Sequence, residues 1–390
     1  MELHNKGAIQ ALIDQAAKNG GGKISIPKGD WLTGRLRLYS NIELHLEDGA
    51  RLIFSAEPSD YLPPVFTRWE GTECFNYSPL IYAKDCENVK ITGKGELFGN
   101  GDKWWHWKQR QGEAAKALYE MAYAGAAVNE RVFGTETAAL RPQFLQLVGC
   151  KDVLLEDFTI KDSPQWTIHP VYCEGLVARR LTVIGRGHNT DGLNPDSCKN
   201  VLIEDCYFDT GDDCIAINSG LNEDGWRVNR PCENVEIRNC TMVGGHGAIV
   251  IGSAISGGVK NVYAHDCKIN GTMQGIRIKS MRGRGGYVKD CRFEDMEINA
   301  VTEQAIQLNM FYEFSTVMPK SQAPTRLEGI SIRRIRGKGA KLGVQIKGLP
   351  ECRLRDIVLE DIRLGAKAAM ECAAAAGLIM NGVEIKEEAL

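Results

Sequence analysis

A short motif, an Asn or Asp followed by alternating apolar residues, returns along this chain at intervals too long for hairpins and too short for domains. Glu87-Asn88-Val89-Lys90-Ile91 recurs in looser form at 152–155 and 176–179. It returns at 200–203, 234–237, 261–264 and 287–290, with weaker copies at 330–332 and 354–357. The steps from Val177 through Val201, Val235 and Val262 to Val288 are 24, 34, 27 and 26 residues. A period of about 20–50 residues made of strands and turns, with no second long helix per unit, specifies a solenoid. Each unit carries several short strands, which suits a parallel β-helix. A leucine-rich horseshoe would show a Leu-x-x-Leu-x-Leu register and a propeller would show Trp-Asp punctuation; neither occurs. The expectation is therefore an all-β chain: one right-handed parallel β-helix of about ten coils over residues 1–390, a single domain.

Three segments depart from the repeat. Ala8, Ile9, Leu12, Ile13 and Ala16 fall on one helical face. Gly20-Gly21-Gly22 stops that helix, so residues 1–22 read as an N-terminal cap. Residues 101–137 hold Trp104-Trp105-His106-Trp107 and an Ala-rich helical pattern over 113–127. An excursion of that length from a solenoid wall is functional or disordered, and its aromatics favour an ordered lid. From Gly365 the chain turns Ala-rich, and 365–390 is expected to fray into a C-terminal cap.

Composition closes off other classes. Net charge is −3, so no global field gathers nucleic acid. No run of 18 apolar residues occurs, which leaves no helical membrane span. The 13 cysteines include no CxxC. Cys206, Cys240 and Cys267 each lie five residues after Val201, Val235 and Val262, as small apolar side chains stacked inside a repeat would. The start, Met-Glu-Leu-His-Asn-Lys, is no signal peptide. Together with the unpaired thiols this gives an expectation of a cytoplasmic protein, or a secreted or periplasmic one if a leader has been removed.

The polar punctuation carries the chemistry. Asp191 lies in Asn189-Thr190-Asp191-Gly192, and Asp212/Asp213 follow Gly211 one repeat later. Coils stack at about 4.8 Å, so three carboxylates would converge and repel, and at least one would hold its proton tightly. Glycoside cleavage needs such a set: one acid to protonate the leaving oxygen, one carboxylate to act on the other face. Gly211 is expected to allow the backbone that turns both Asp212 and Asp213 outward. Taken alone, Asp-Gly and Gly-Asp-Asp also read as turns. His246 stands among Gly244, Gly245 and Gly247. Arg277 and Lys279 alternate with Ile276 and Ile278, so both cations leave one strand face, where Arg is shaped to grip carboxylates. Tyr312 follows on the next coil.

Asn189-Thr190-Asp191, Gly211-Asp212-Asp213, Gly245-His246-Gly247, Arg277-Ile278-Lys279 and Tyr312, in that order, resemble the polygalacturonases, glycoside hydrolase family 28. The Trp-rich excursion and Ile251-Gly252-Ser253 are most similar to the bacterial exo-acting branch. The resemblance implies an inverting hydrolase of α-1,4-linked galacturonate that needs no metal or other cofactor and takes acidic polysaccharide or oligogalacturonide as partner. It makes Asp212 the general acid, with Asp191 and Asp213 positioning and deprotonating water and His246 tuning the acid. Asn189, Arg277, Lys279 and Tyr312 would hold substrate. Asn218 departs from the pattern, standing where relatives often have Lys. A rhamnogalacturonan or other uronate backbone, a Ca²⁺-dependent lyase using Arg277 as base, and a non-catalytic carbohydrate-binding solenoid stay open as alternatives.

Overall fold

The computed structural model describes residues 6–313 and 315–388. Helix α1 (Ala8–Lys18) lies over the first coil and buries Ile9 and Ile13. Its apolar face is narrower than the periodicity predicts, because Leu12 points to solvent at 57% exposure. From Gly22 the chain winds into parallel coils. One column of strands pairs from Gly22–Ile26 through Ile42–Leu46, Glu87–Gly93 and Lys151–Glu156. It continues through Glu174–Arg179, Lys199–Glu204, Cys232–Arg238 and Val259–His265. The last rungs are Tyr287–Asn299, Arg326–Lys347, Leu354–Ala373 and Ile379–Glu387. The chain is thus a parallel β-helix, with each typical coil contributing three strands, as in Lys199–Glu204, Tyr207–Asp209 and Ile215–Ile217.

The repeated Asn or Asp is a corner residue. Asn88, Asp152, Asn200, Asn234, Asn261 and Asp290 all sit at φ between +53° and +57°, a left-handed conformation that these short polar side chains tolerate best after glycine. Their amides form ladders: Asn261 donates to Asn234 at 2.7 Å and Asn234 to Asn200 at 2.9 Å. Behind the corner, Val201, Val235 and Val262 lie within 1% of full burial, and Cys206, Cys240 and Cys267 within 2%. The cysteine stack is therefore core packing. Two register details differ from the sequence alignment. Val201 pairs with Leu176 and not Val177. The rung after Val262 is set by Tyr263 facing Arg292, so the true corner there is Asp290 and not Tyr287. In both places neighbouring apolar residues, one position off in the first case and three in the second, made two registers look equivalent in sequence.

The Ala-rich end does not fray. Leu354–Ala373 continues as strand and Ile379–Glu387 pairs along it, because Ile362, Leu364 and Ala366 still have the preceding coil to pack on. The excursion is ordered too. After two 3-10 turns, α2 (Gly112–Tyr123) ends earlier than the Ala-rich pattern. Leu118 packs with Trp69, Cys74, Phe133 and Leu140 in a small second core. Arg131 then ties the excursion to α3 (Asn222–Val228) through a buried 2.7 Å ion pair with Asp224. No described helix is long and apolar enough to cross a membrane.

Candidate active site

The site follows from the stacking of one interior column. Leu193, Ile215, Ile249, Ile276, Ile306 and Val344 pair in sequence across successive coils. Asp191 precedes Leu193 by two residues and Asp213 precedes Ile215 by two. Asp213 is therefore the residue stacked on Asp191, while Asp212 lies over Thr190. Backbone bonds fix the overlap: Gly192 N–H donates to the Asp213 carbonyl at 2.9 Å. Gly211 N–H donates to Thr190 Oγ1 at 3.2 Å. The glycine at 211 is needed for this close approach and not for an unusual φ. A Cβ there would stand 2.3 Å from the Gly187 carbonyl and 2.6 Å from Thr190 Oγ1.

Asp191, Asp212 and Asp213 each place a carboxylate oxygen within 4.8 Å of the other two. Their surroundings separate them. Asp191 is buried, accepts a 2.9 Å hydrogen bond from Asn194 Nδ2, and faces two like charges. Burial first and those neighbours second push its pKa well above the ordinary carboxylate value. Asp212 is drawn the other way: burial opposes, but His246 Nδ1 at 2.9 Å favours the carboxylate, and the net direction is down. The same contact raises His246 above ordinary imidazole, so each partner favours the charged form of the other. Asp213 receives Lys279 Nζ at 2.7 Å and the Gly247 N–H at 2.8 Å. Lys279, though buried, keeps its proton because Asp213 outweighs its desolvation. That ammonium puts a fixed cation against the acidic cluster.

The three remaining expected residues gather around these five. Asn189 Nδ2 stands 3.5 Å from Asp212 Oδ2, and its side-chain oxygen is held by Arg141 Nη2 at 2.8 Å. Arg277 lies 4.0 Å from Asp213 and donates to Gln307 Oε1 at 2.9 Å. The Tyr312 ring sits under both cations, 5.8 Å from the Arg277 guanidinium carbon and 5.2 Å from Lys279 Nζ.

The acids, Asn189, Lys279 and Tyr312 line one cavity of about 460 Å³. Several of its walls were not foreseen. Glu70, Lys108, Tyr119 and Trp166, from the earlier coils and the excursion, line it together with Arg284, Glu313 and Met318 from later ones. Asn218 also lines it, and two cations, Lys108 and Arg284, do so elsewhere in the wall. Arg284 donates to Asn222 Oδ1 at 2.8 Å and the Ser253 carbonyl at 3.0 Å, and its burial lowers its pKa. Lys108 and Tyr119 belong to the excursion, whose aromatic content was the one sequence signal for this wall. Glu70 and Trp166 had none, since they lie outside the repeated motif.

A β-helix bearing convergent carboxylates, an imidazolium and fixed cations in one outer cavity defines a carbohydrate-active solenoid with acid–base chemistry. Residues 21–380 match the model described as Glycosyl hydrolases family 28, and the chain belongs to that family. A probable polygalacturonase of Vitis vinifera is 30% identical over 377 residues, which cover 93% of this chain and 72% of that protein. The exo-poly-alpha-D-galacturonosidase of Dickeya chrysanthemi is 27% identical over 334 residues, covering 79% of this chain and only 54% of that one. Among solved structures, a hyperthermoactive exopolygalacturonase from Thermotoga maritima superposes with a TM-score of 0.91 at 38% identity. The match covers 96% of this chain and 87% of that one. Its right-handed parallel β-helix is the fold of this chain.

Proposed function

We propose that this chain hydrolyses α-1,4-galacturonosidic bonds of polygalacturonate and its oligomers, releasing units from the non-reducing end. The observation that carries the reading is a cavity in which Asp191, Asp212 and Asp213 converge beside Lys279 and Tyr312, walled on one side by the excursion. Family membership and the exo-acting relatives support it. Lys279 in the cavity wall and Arg277 beside it would present positive charge to a uronate carboxylate. Asp212, the least buried of the three acids, is the general acid. Its proton comes from His246, which holds one next to it and passes it over when a bound uronate crowds the ion pair. Asp213 is the base that takes a proton from water, and protonated Asp191 fixes that water by a hydrogen bond. Asp212→Asn should lower turnover of polygalacturonate by about 10²–10⁴ with the fold intact; undiminished release of reducing sugar would refute the assignment.

A second reading concerns stereochemistry. Inverting enzymes usually separate their carboxylates by about 6.5–9.5 Å and retaining ones by about 5–5.5 Å, whereas the oxygens here lie within 4.8 Å. The family resemblance argues for inversion, with water in place between Asp191 and Asp213; the spacing argues for a carboxylate nucleophile. The anomer released first, read by proton NMR, separates them: β-galacturonate for inversion, α for retention. A cytoplasmic location suits a core lined with unpaired cysteines. Finding the protein only outside the cytoplasmic fraction of source cells would remove it.

A further inference from the structure

The strands Val65–Trp69 and Thr72–Asn76 form an antiparallel hairpin in which Trp69 faces Thr72, leaving Glu70 and Gly71 as a two-residue turn. Both have positive φ, +43° and +86°. That turn is normally built from Asn-Gly or Asp-Gly, because Asn and Asp tolerate the left-handed region and can bond locally. Glutamate has neither advantage. A poor turn residue kept at a cavity wall points to a task for its side chain. The tip is seated at the site: Leu221 N–H donates to the Gly71 carbonyl at 2.9 Å, and Leu221 and Glu70 line the same cavity.

The Glu70 carboxylate is fixed by two donors from different parts of the chain. Tyr119 Oη, from α2, donates to Oε2 at 3.0 Å, and Gln165 Nε2, from the coil wall, donates to Oε1 at 3.1 Å. The Gln165 amide serves Glu70 at its own expense, for its buried Oε1 is left without a partner. Both donors are neutral side chains, so neither takes up the carboxylate in an ion pair. A carboxylate offers about four lone-pair positions and two are taken. The open ones suit a hydroxyl donor and repel a uronate carboxylate. Trp166 and Lys108 complete this wall, an apolar face for the ring and a cation for its acid group.

Resting on the hydrolytic reading above, we infer that Glu70, held by Tyr119 and Gln165, accepts a hydrogen bond from the free 4-hydroxyl of the terminal galacturonate and so selects chain ends. The 4-oxygen is the atom that leads toward a blocked non-reducing side. Only the terminal unit has a hydrogen on it; every internal unit carries a glycosidic bond there, with no proton to offer and a sugar where the wall stands.

The experiment compares trigalacturonate with its 4,5-unsaturated counterpart, which lacks that hydroxyl, in wild type, Glu70→Gln and Tyr119→Phe, with melting temperatures checked. A site built around a hydroxyl discriminates strongly against its absence. Wild type should favour the saturated trimer by about tenfold or more in kcat/KM. Glu70→Gln should bring that ratio to within about threefold of one, chiefly by losing kcat/KM on the saturated trimer. Tyr119→Phe, which loosens the carboxylate but leaves it, should fall between. Gln165 can turn its amide to accept from a glutamine at 70, so the brace survives the substitution. An unchanged ratio in Glu70→Gln, or an equal loss on both trimers, overturns the inference and assigns Glu70 to bracing alone. If wild type cleaves neither trimer, it is the hydrolytic reading that falls.

Discussion

Asp212 and Asp213 differ by one position in the chain and by everything that sets their chemistry. One has an imidazole against it, the other an ammonium and a backbone N–H. The His246–Asp212 pair titrates as a unit, and one proton stays on it until pH passes the raised imidazole value. Activity that needs this proton should therefore be level at mildly acidic pH and fall as pH rises through a point above the ordinary histidine value. In His246→Gln the proton is lost from Asp212 directly, so the falling limb should move toward the carboxylate range. A kcat/KM profile of the two proteins checks this; coincident limbs would show that His246 does not govern the proton. The sequence named all three acids, and the family resemblance singled out Asp212 as the general acid, but it did not divide the work between Asp191 and Asp213. It could say that they stack, because repeat spacing does; it could not say which one Lys279 reaches, because that depends on a strand two coils further along.

The excursion shows what an insertion contributes once it is packed. Trp104 and Trp107 are buried, 5.5 Å from Tyr61 and 5.8 Å from Tyr77 respectively, while Trp105 is half-buried. α2 rests on the Val65–Trp69 and Thr72–Asn76 hairpin through Trp69 and Leu118. Arg131 anchors its far end, bonded to Asp224 and to the Glu73 carbonyl at 3.2 Å. Arg131→Met leaves Asp224 with Arg227 as its remaining cation and should cost about 3–5 kcal/mol, the range for breaking a buried pair. A denaturant titration would read it, and a loss below about 1 kcal/mol would mean the pair is not structural. Replacing residues 112–130 by a short glycine-serine linker should open the blocked side of the cavity. Early products on polygalacturonate should then change from monomer to a ladder of oligomers; monomer alone would show that the wall does not set the cleavage mode. The Trp-rich composition announced an ordered segment. It could not announce the hairpin partner at 65–76, which lies well before it in sequence and outside the repeat.

Across the whole molecule, each coil touches its neighbours and little else, so local stability should vary along the axis. The middle rungs are covered on both sides, whereas Ile379–Glu387 has one neighbouring rung among the described residues, and Ile379 and Met380 are 58% and 46% exposed. Amide exchange by mass spectrometry should be fast over 379–387 and slowest over 199–265; uniform protection would show that the spool opens all at once. Whatever depends on neighbours in sequence was present in the chain from the start. The Asn corners, the Val and Cys columns and the stacked aspartates follow from a repeat whose every turn satisfies the same local rules, and that was enough for the β-helix and its acids. Whatever depends on where separate excursions dock was decided only by the tertiary structure. Glu70, Tyr119, Trp166 and Arg284 meet around one cavity because loops from different coils share a wall, and no periodicity records such a meeting. Stacking energy repeats with the sequence; contacts between insertions do not.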